Sequence, residues 1–192
     1  MRDYILFYVN GERHQICGER AFQPLSEFLR NELCLVGTKV VCAEGDCGSC
    51  TVLIGRSNTG DVSNDFKLTY QSADSCIQFL YQLDCSHVIT IEGLKKEAKK
   101  RDLLYDLSEI QNAMVEAMGS QCGYCTPGFI MSLLAMVYSK VTLTKQSVKE
   151  GLTGNLCRCT GYEQIIEAAL SIKISSELNV VNFFNTRLIL ED

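Results

Sequence analysis

Eight of the chain's eleven cysteines fall into two four-thiol groups, and the two groups are spaced differently. The first runs Cys42-x4-Cys47-x2-Cys50 and is completed by Cys76. The second sets Cys122-x2-Cys125 against a distant Cys157-x-Cys159. Three thiols in one loop with a fourth far downstream is the plant-ferredoxin spacing, which holds a [2Fe–2S] cluster on four thiolates. A chain of 192 residues that must gather four sulfurs twice has little freedom left. Small domains bury a limited core and lean on such cross-links. Two groups of this kind predict two redox centres in series, hence a protein that moves electrons.

The loop Cys42-Ala-Glu-Gly-Asp-Cys47-Gly-Ser-Cys50 suits that task. Gly45 and Gly48 reach backbone angles that other residues resist. They also let amide N–H groups approach the sulfurs, and such bonds tune a cluster's potential. Cys76 arrives after a polar stretch, as a hairpin return would bring it. Structural zinc pairs two Cys-x2–4-Cys knuckles, which this pattern lacks. The second group is less specific on spacing alone, and zinc stays open for it. Cys125 falls just before a helix start, where the helix dipole favours a thiolate.

The N-terminus has no charged leader followed by an apolar run, so no signal peptide is expected. No stretch reaches the length of a membrane span. A cytosolic setting follows, where clustered cysteines bind metal rather than form disulfides. The 18 basic and 23 acidic side chains leave a net charge of −5, against a nucleic-acid surface. The basic run Lys95–Arg101 reads as a solvated linker or helix face.

Residues 3–9 read as a strand, Asn10-Gly11 as a hairpin turn and 14–17 as the returning strand. Pro24 opens a helix over 25–33. Residues 51–54 and 88–91 read as further strands, and 55–65 as an exposed loop. Near residue 94 the character changes to helical period. Helices are predicted over 103–118, after Thr126-Pro127 to Tyr138, from a Thr144 cap, and from Gly161 through Leu170. The fold class is α+β: a strand-rich half, then a compact four-helix half around a metal. Residues 175–192 show no clear period and read as a linker, an arm or a tail. No internal repeat is visible.

Three segments carry a family likeness: Cys-Ala-Glu-Gly-Asp-Cys-Gly-Ser-Cys-Thr-Val (42–52), Gly-Ser-Gln-Cys-Gly-Tyr-Cys-Thr-Pro-Gly-Phe (119–129) and Gly-Asn-Leu-Cys-Arg-Cys-Thr-Gly-Tyr (154–162). They resemble the iron–sulfur region of molybdenum hydroxylases, the family of xanthine dehydrogenases, aldehyde oxidases and carbon monoxide dehydrogenase small subunits. The likeness covers roughly residues 3–172. Ser75-Cys76-Ile77, Gln82-Leu83-Asp84 and His87-Val-Ile-Thr-Ile-Glu-Gly93 most resemble the small subunit of bacterial xanthine dehydrogenase.

The resemblance implies a ferredoxin-like β-grasp domain over 1–94, a helical [2Fe–2S]-binding domain over 95–174 and a linker or tail over 175–192. It implies Cys42, Cys47, Cys50 and Cys76 as ligands of one [2Fe–2S] cluster, and Cys122, Cys125, Cys157 and Cys159 as ligands of the other. It places Gln121 and Cys159 against a molybdopterin held by a large partner subunit. Without the resemblance, Gln121 reads equally as a loop glutamine capping backbone amides. Substrate would be hydroxylated on the partner, with a purine as the expected one, and electrons would travel through both clusters to FAD and on to NAD or another acceptor. The flavin is expected on another polypeptide or a continuation of this one, not on these residues. The competing readings are a non-redox adaptor with a zinc-stabilised helical half, and the same electron-transfer role in an aldehyde- or carbon monoxide-oxidising enzyme.

Other residues are not promoted. Cys17, Cys34 and Cys85 are expected as buried structural thiols, with Cys85 standing where the family commonly has glycine. His14 and His87 are too isolated for acid–base work, and no Ser–His–acid set is visible. Met114, Met118, Met131 and Met136 fit helix core faces. Tyr124 and Phe129 are expected to pack around the second thiol group and keep water from it.

Overall fold

The computed structural model describes residues 2–57, 68–94 and 107–172. The basic run, most of the 55–65 loop, the start of the 103–118 helix and the tail lie outside the described residues. Strand β1 (Ile5–Val9) turns back into β2 (Glu12–Ile16) through Asn10 and Gly11, both at positive φ (49° and 85°). Two left-handed residues in a two-residue loop match the twist of the flanking strands. Strands β3 (Thr51–Ser57) and β4 (Leu68–Asp74) form a second antiparallel hairpin. Strand β5 (Ser86–Ile89) joins the two hairpins, parallel to β1 and antiparallel to β3. The sheet order is β2-β1-β5-β3-β4.

Three expectations are corrected here. Strand β3 runs on through Gly55 to Ser57, because β4 pairs with it along its length. Strand β5 ends at Ile89, and Ile91–Leu94 curl into a 3₁₀ turn. The 25–33 helix is one α-turn, α1 (Leu25–Glu27), widening into a π-helical turn over Phe28–Glu32. The amides of Leu33 and Leu35 close that turn on the carbonyls of Phe28 and Leu29.

Four helices follow: α2 (Glu109–Glu116), α3 (Thr126–Tyr138), α4 (Lys145–Gly151) and α5 (Glu163–Ser171). Ser108 and Gln111 cap the start of α2 reciprocally, and Thr144 does the same for α4 with Ser147. Pro127 sits in the first turn of α3, where its missing N–H costs nothing. Helix α2 ends early, and Met118 lies beyond it at φ 51° and 78% exposed. The expected core role of Met118 is therefore corrected. Met114, Met131 and Met136 are buried as expected.

Alternation along β3 explains how these layers stack. Val52 and Ile54 point to one face, where Phe7, Leu25, Phe28 and Val88 pack. Leu53 points to the other, with Leu68, Tyr70 and Ile89, and there it meets Phe129, Leu133 and Val137 of α3. The sheet is thus covered on both faces, unlike an antiparallel sheet with one face in water. Under α3 lies a buried polar contact. The Tyr70 hydroxyl is 2.6 Å from His87 Nδ1, and the Gly11 amide donates to His87 Nε2 at 3.1 Å. Among the described residues no helix is long and apolar enough to cross a membrane.

Candidate metal centres

The first thiol group is assembled by a loop and a hairpin. Cys50 immediately precedes β3, and Cys76 lies two residues past β4. The register Thr51↔Asp74 sets these strand ends side by side. The Ser75 hydroxyl and amide both donate to the Cys50 carbonyl, at 2.7 and 3.3 Å. The hairpin return expected for Cys76 is what the strands provide. Cys50 and Cys76 then interact thiol to thiol, as do Cys42 and Cys47.

The loop between them turns at Ala43, Gly45 and Gly48, all at positive φ. That path aims the amides of Glu44 and Asp46 at the Cys42 sulfur, which holds its pKa down at about 6. Burial pushes the Cys50 thiol the other way, up to about 12, with Cys76 adding to it. Burial also raises Asp74, whose carboxylate accepts from the Thr51 hydroxyl at 3.4 Å and lies 3.8 Å from Cys50 Sγ.

The second group is assembled by two inter-helix loops. Cys122 and Cys125 lie ahead of α3, and Cys125 is its N-cap residue. Cys157 and Cys159 lie between α4 and α5. Cys122 Sγ and Cys159 Sγ are 3.6 Å apart and exposed. Cys125 and Cys157 interact deeper in. A cavity of about 370 Å³ runs along all four thiols, lined also by Tyr124 and Leu156.

The expectation that the helix end would favour a Cys125 thiolate is corrected. Burial dominates and lifts this thiol to about 12, with Cys157 adding to the rise. On Cys157 burial also acts upward, but hydrogen bonds from the Thr160 hydroxyl (3.2 Å) and amide (3.4 Å) outweigh it and lower the pKa. Phe129 is fully buried beneath the group and packs edge-on to Tyr162. Tyr162, at φ 72°, accepts the Cys157 amide on its hydroxyl at 3.0 Å. Tyr124 packs along the thiol cavity as expected but is half exposed, with Lys39 Nζ 5.9 Å over its ring.

In the first group strand register sets Cys50 beside Cys76, and in the second Cys122 and Cys159 lie 3.6 Å apart with all four thiols along one cavity. Four cysteine thiols at each group are the donor set that holds a [2Fe–2S] cluster. Gln121 is exposed, one residue ahead of Cys122.

Comparison with known proteins bears directly on this donor set. Residues 90–170 match the family of [2Fe–2S] binding domains. The chain is 40% identical over 171 residues to a probable xanthine dehydrogenase subunit of Bacillus subtilis, covering 90% of this chain and 84% of that one. This chain belongs to the iron–sulfur subunits of the xanthine dehydrogenase and aldehyde oxidase family of molybdenum hydroxylases. "Xanthine dehydrogenase 1" of Arabidopsis thaliana is 39% identical over 164 residues. That match takes in 85% of this chain but only 11% of the plant protein, so the chain spans a small part of such relatives. Among solved structures, quinoline 2-oxidoreductase from Pseudomonas putida 86 is similar with a TM-score of 0.69 and 29% identity, covering 94% of each chain.

The remaining three cysteines depart from expectation. Cys17, Cys34 and Cys85 are all exposed. Cys34 and Cys85 sit at positive φ (56° and 55°) in turns, and Cys17 flanks a 3₁₀ turn, so none faces a core. Arg2 donates to Cys85 Sγ at 3.4 Å while pairing with Asp84. Sequence reasoning overlooked Asn155, Thr160 and Tyr162. All three lie within the 154–162 segment, and for Thr160 a hydroxyl next to Cys159 was the available signal.

Proposed function

We propose that this chain is the electron-transfer subunit of a molybdenum-containing hydroxylase. Cys42, Cys47, Cys50 and Cys76 hold one [2Fe–2S] cluster, and Cys122, Cys125, Cys157 and Cys159 hold the other. Each cluster, when bound, takes up one electron and gives it back. The observation that carries this reading is that the fold gathers both four-thiol groups: strand register sets Cys50 beside Cys76, and Cys122, Cys125, Cys157 and Cys159 line one cavity.

The chain's own residues do the rest. The amides of Glu44 and Asp46 and the hydroxyl of Thr160 stabilise negative charge on sulfur. Phe129 and the buried flank of α3 keep water from the second group. Residues 1–94 form a ferredoxin-like β-grasp domain, 95–174 a four-helix domain, and 175–192 a linker or tail. The exposed Cys122–Cys159 edge, with Gln121 beside it, faces a molybdopterin on a large partner subunit. A flavin-bearing partner accepts electrons from the first group. Xanthine or a related purine is the proposed substrate, supported by the Bacillus subtilis subunit named for xanthine dehydrogenase, which this chain matches over 84% of that subunit's length. The complex works in the cytoplasm.

Metal and sulfide analysis of anaerobically purified protein tests this reading. About four irons and four acid-labile sulfides per chain are expected, with two distinct EPR signals after reduction. One zinc with about two irons would replace the reading with a zinc-stabilised adaptor.

A further inference from the structure

The two thiol groups touch through main chain. The Leu156 amide, one residue ahead of Cys157, donates to the carbonyl of Cys47 at 3.0 Å. Leu156 is itself 44% exposed and lies in a loop, so this bond alone would open readily. The neighbouring residue holds it shut. Asn155 is 4% exposed, and its side-chain NH₂ donates to the Gly48 carbonyl at 3.1 Å and toward Thr51 Oγ1 at 3.5 Å. The Asn155 amide is tied in turn to the Leu152 carbonyl at 2.9 Å, where α4 ends.

Space at this junction is fully used. A Cβ on Gly48 would lie 2.3 Å from the Gly154 carbonyl oxygen. A Cβ on Gly128, in the first turn of α3, would lie 2.0 Å from the Gly48 carbonyl oxygen. The first cysteine loop, the start of α3 and the second cysteine loop therefore converge on one carbonyl; the Thr51 hydroxyl (2.7 Å) and amide (3.3 Å) donate to it from within the first loop, and Asn155 supplies the side-chain bond that reaches it from the second. Burying a primary amide is unfavourable unless its hydrogen bonds are made. An apolar residue of this size would pack the junction without that penalty but would leave the loops unregistered.

We propose that Asn155 is a positioning residue for electron passage between the two thiol groups. It fixes their separation by clamping Gly48 and so keeping Cys47 and Leu156 in contact. The inference rests on the proposed function. With both groups loaded, one electron would pass from the cluster held by Cys122, Cys125, Cys157 and Cys159 to that held by Cys42, Cys47, Cys50 and Cys76, oxidising the first and reducing the second with no bond made or broken.

The test compares the cluster-loaded wild type with Asn155→Leu and Asn155→Asp. Leu keeps the volume without the donor, and Asp aims an acceptor at a carbonyl. In the fully reduced wild type, two paramagnetic centres at a fixed separation split each other's EPR lines. In iron-replete variants that splitting is lost while both signals remain, a readout that lowered stability alone would not move. Unchanged splitting in an iron-replete variant overturns the role of Asn155 and leaves the functional reading intact. Missing iron in the wild type overturns the functional reading first and is seen before any spectrum is taken. Should the variants not fold, hydrogen exchange in the wild type decides. The Leu156 amide exchanges as slowly as amides in β3 if the clamp holds, and exchange as fast as exposed loop amides overturns it.

Discussion

The two cysteine groups reach the same donor set by different means. In the first, strand register does the positioning, since one hairpin brings Cys50 and Cys76 together from 26 residues apart. In the second, two loops at helix ends meet, and local hydrogen bonds from Thr160 to Cys157 Sγ and from the Cys157 amide to the Tyr162 hydroxyl fix them. Yet both groups set a sulfur poised to ionise against one that resists. Amides hold Cys42 near 6 while burial lifts Cys50 to about 12. Thr160 lowers Cys157 against the pull of burial, and burial lifts Cys125 to about 12. Metal ligands must be deprotonated, so binding to the high thiols releases protons and couples to folding. Cys50 and Cys125, the thiols that burial raises, therefore depend on the metal more than Cys42 and Cys157, whose charge local hydrogen bonds already favour.

The largest test of that contrast is Cys125→Ser. It should remove the second group's iron, about half the total, and leave the first group's signal. Hydrogen exchange should speed up most in α3 and α5. Because Leu53, Leu68 and Tyr70 share a core with α3, the β3–β4 hairpin should follow, while β1 and β2 stay protected. Equal protection of all elements in mutant and wild type would break the comparison.

Next in size is Phe129→Ala. A fully buried phenylalanine lost from a packed core costs about 4 kcal/mol. Here it also removes the edge-on support for Tyr162, which anchors the Cys157 amide. Phe28→Ala, on the opposite face of the sheet, should cost a similar amount. Denaturant melts should therefore match, while only Phe129→Ala disturbs the second group's EPR line shape. A disturbance of equal size in both variants would show that the sheet does not insulate its two faces.

A smaller effect comes from His87. Burial lowers its pKa to about 4, against an ordinary value near 6.5. The Gly11 amide faces Nε2 as a donor, so a proton there would oppose it. Above pH 6.5 the ring is neutral folded or unfolded, and nothing is lost. Below that, the unfolded chain binds the proton first, and stability falls until about pH 4, by about 3 kcal/mol in all. The difference in unfolding free energy between wild type and His87→Gln, measured from pH 7.5 to 5.0, should narrow as pH drops. A difference that stays constant with pH would show that the buried ring does not titrate as described.

How legible was this in the sequence? The thiol groups, the Asn10-Gly11 hairpin and the starts of α3 and α4 were readable because each is a local signal: ligand spacing, turn chemistry, a cap. Strand β4 was not, because Leu68–Asp74 alternates weakly and owes its strand form to pairing with β3. The exposure of Cys17, Cys34 and Cys85 was missed because composition ranks cysteine as a buried type, whereas these three sit in turns. Met118 continued a helical period on paper, but the chain leaves the helix one residue earlier. Asn155 was invisible for another reason. Its partner Gly48 lies 107 residues away, and no local pattern announces such a bond.

The smallest effect isolates the hydrogen bonding that distinguishes the second group. The Thr160 hydroxyl accepts the Tyr162 amide at 3.2 Å, which leaves its own proton free to point at Cys157 Sγ. Thr160→Val keeps the shape and the Thr160 position's amide bond to the sulfur but removes the hydroxyl. A donor to sulfur favours the more negative, reduced state, so its loss should lower the second group's reduction potential. A single hydrogen bond has a net worth of about 1 kcal/mol. For a one-electron couple that is about 40 mV. The first group's potential, set by amides that this variant does not touch, serves as the internal reference in the same titration. A fall confined to one couple supports separate tuning of the two groups. A fall shared by both would mean that the contact between Leu156 and Cys47 makes them one electrostatic unit.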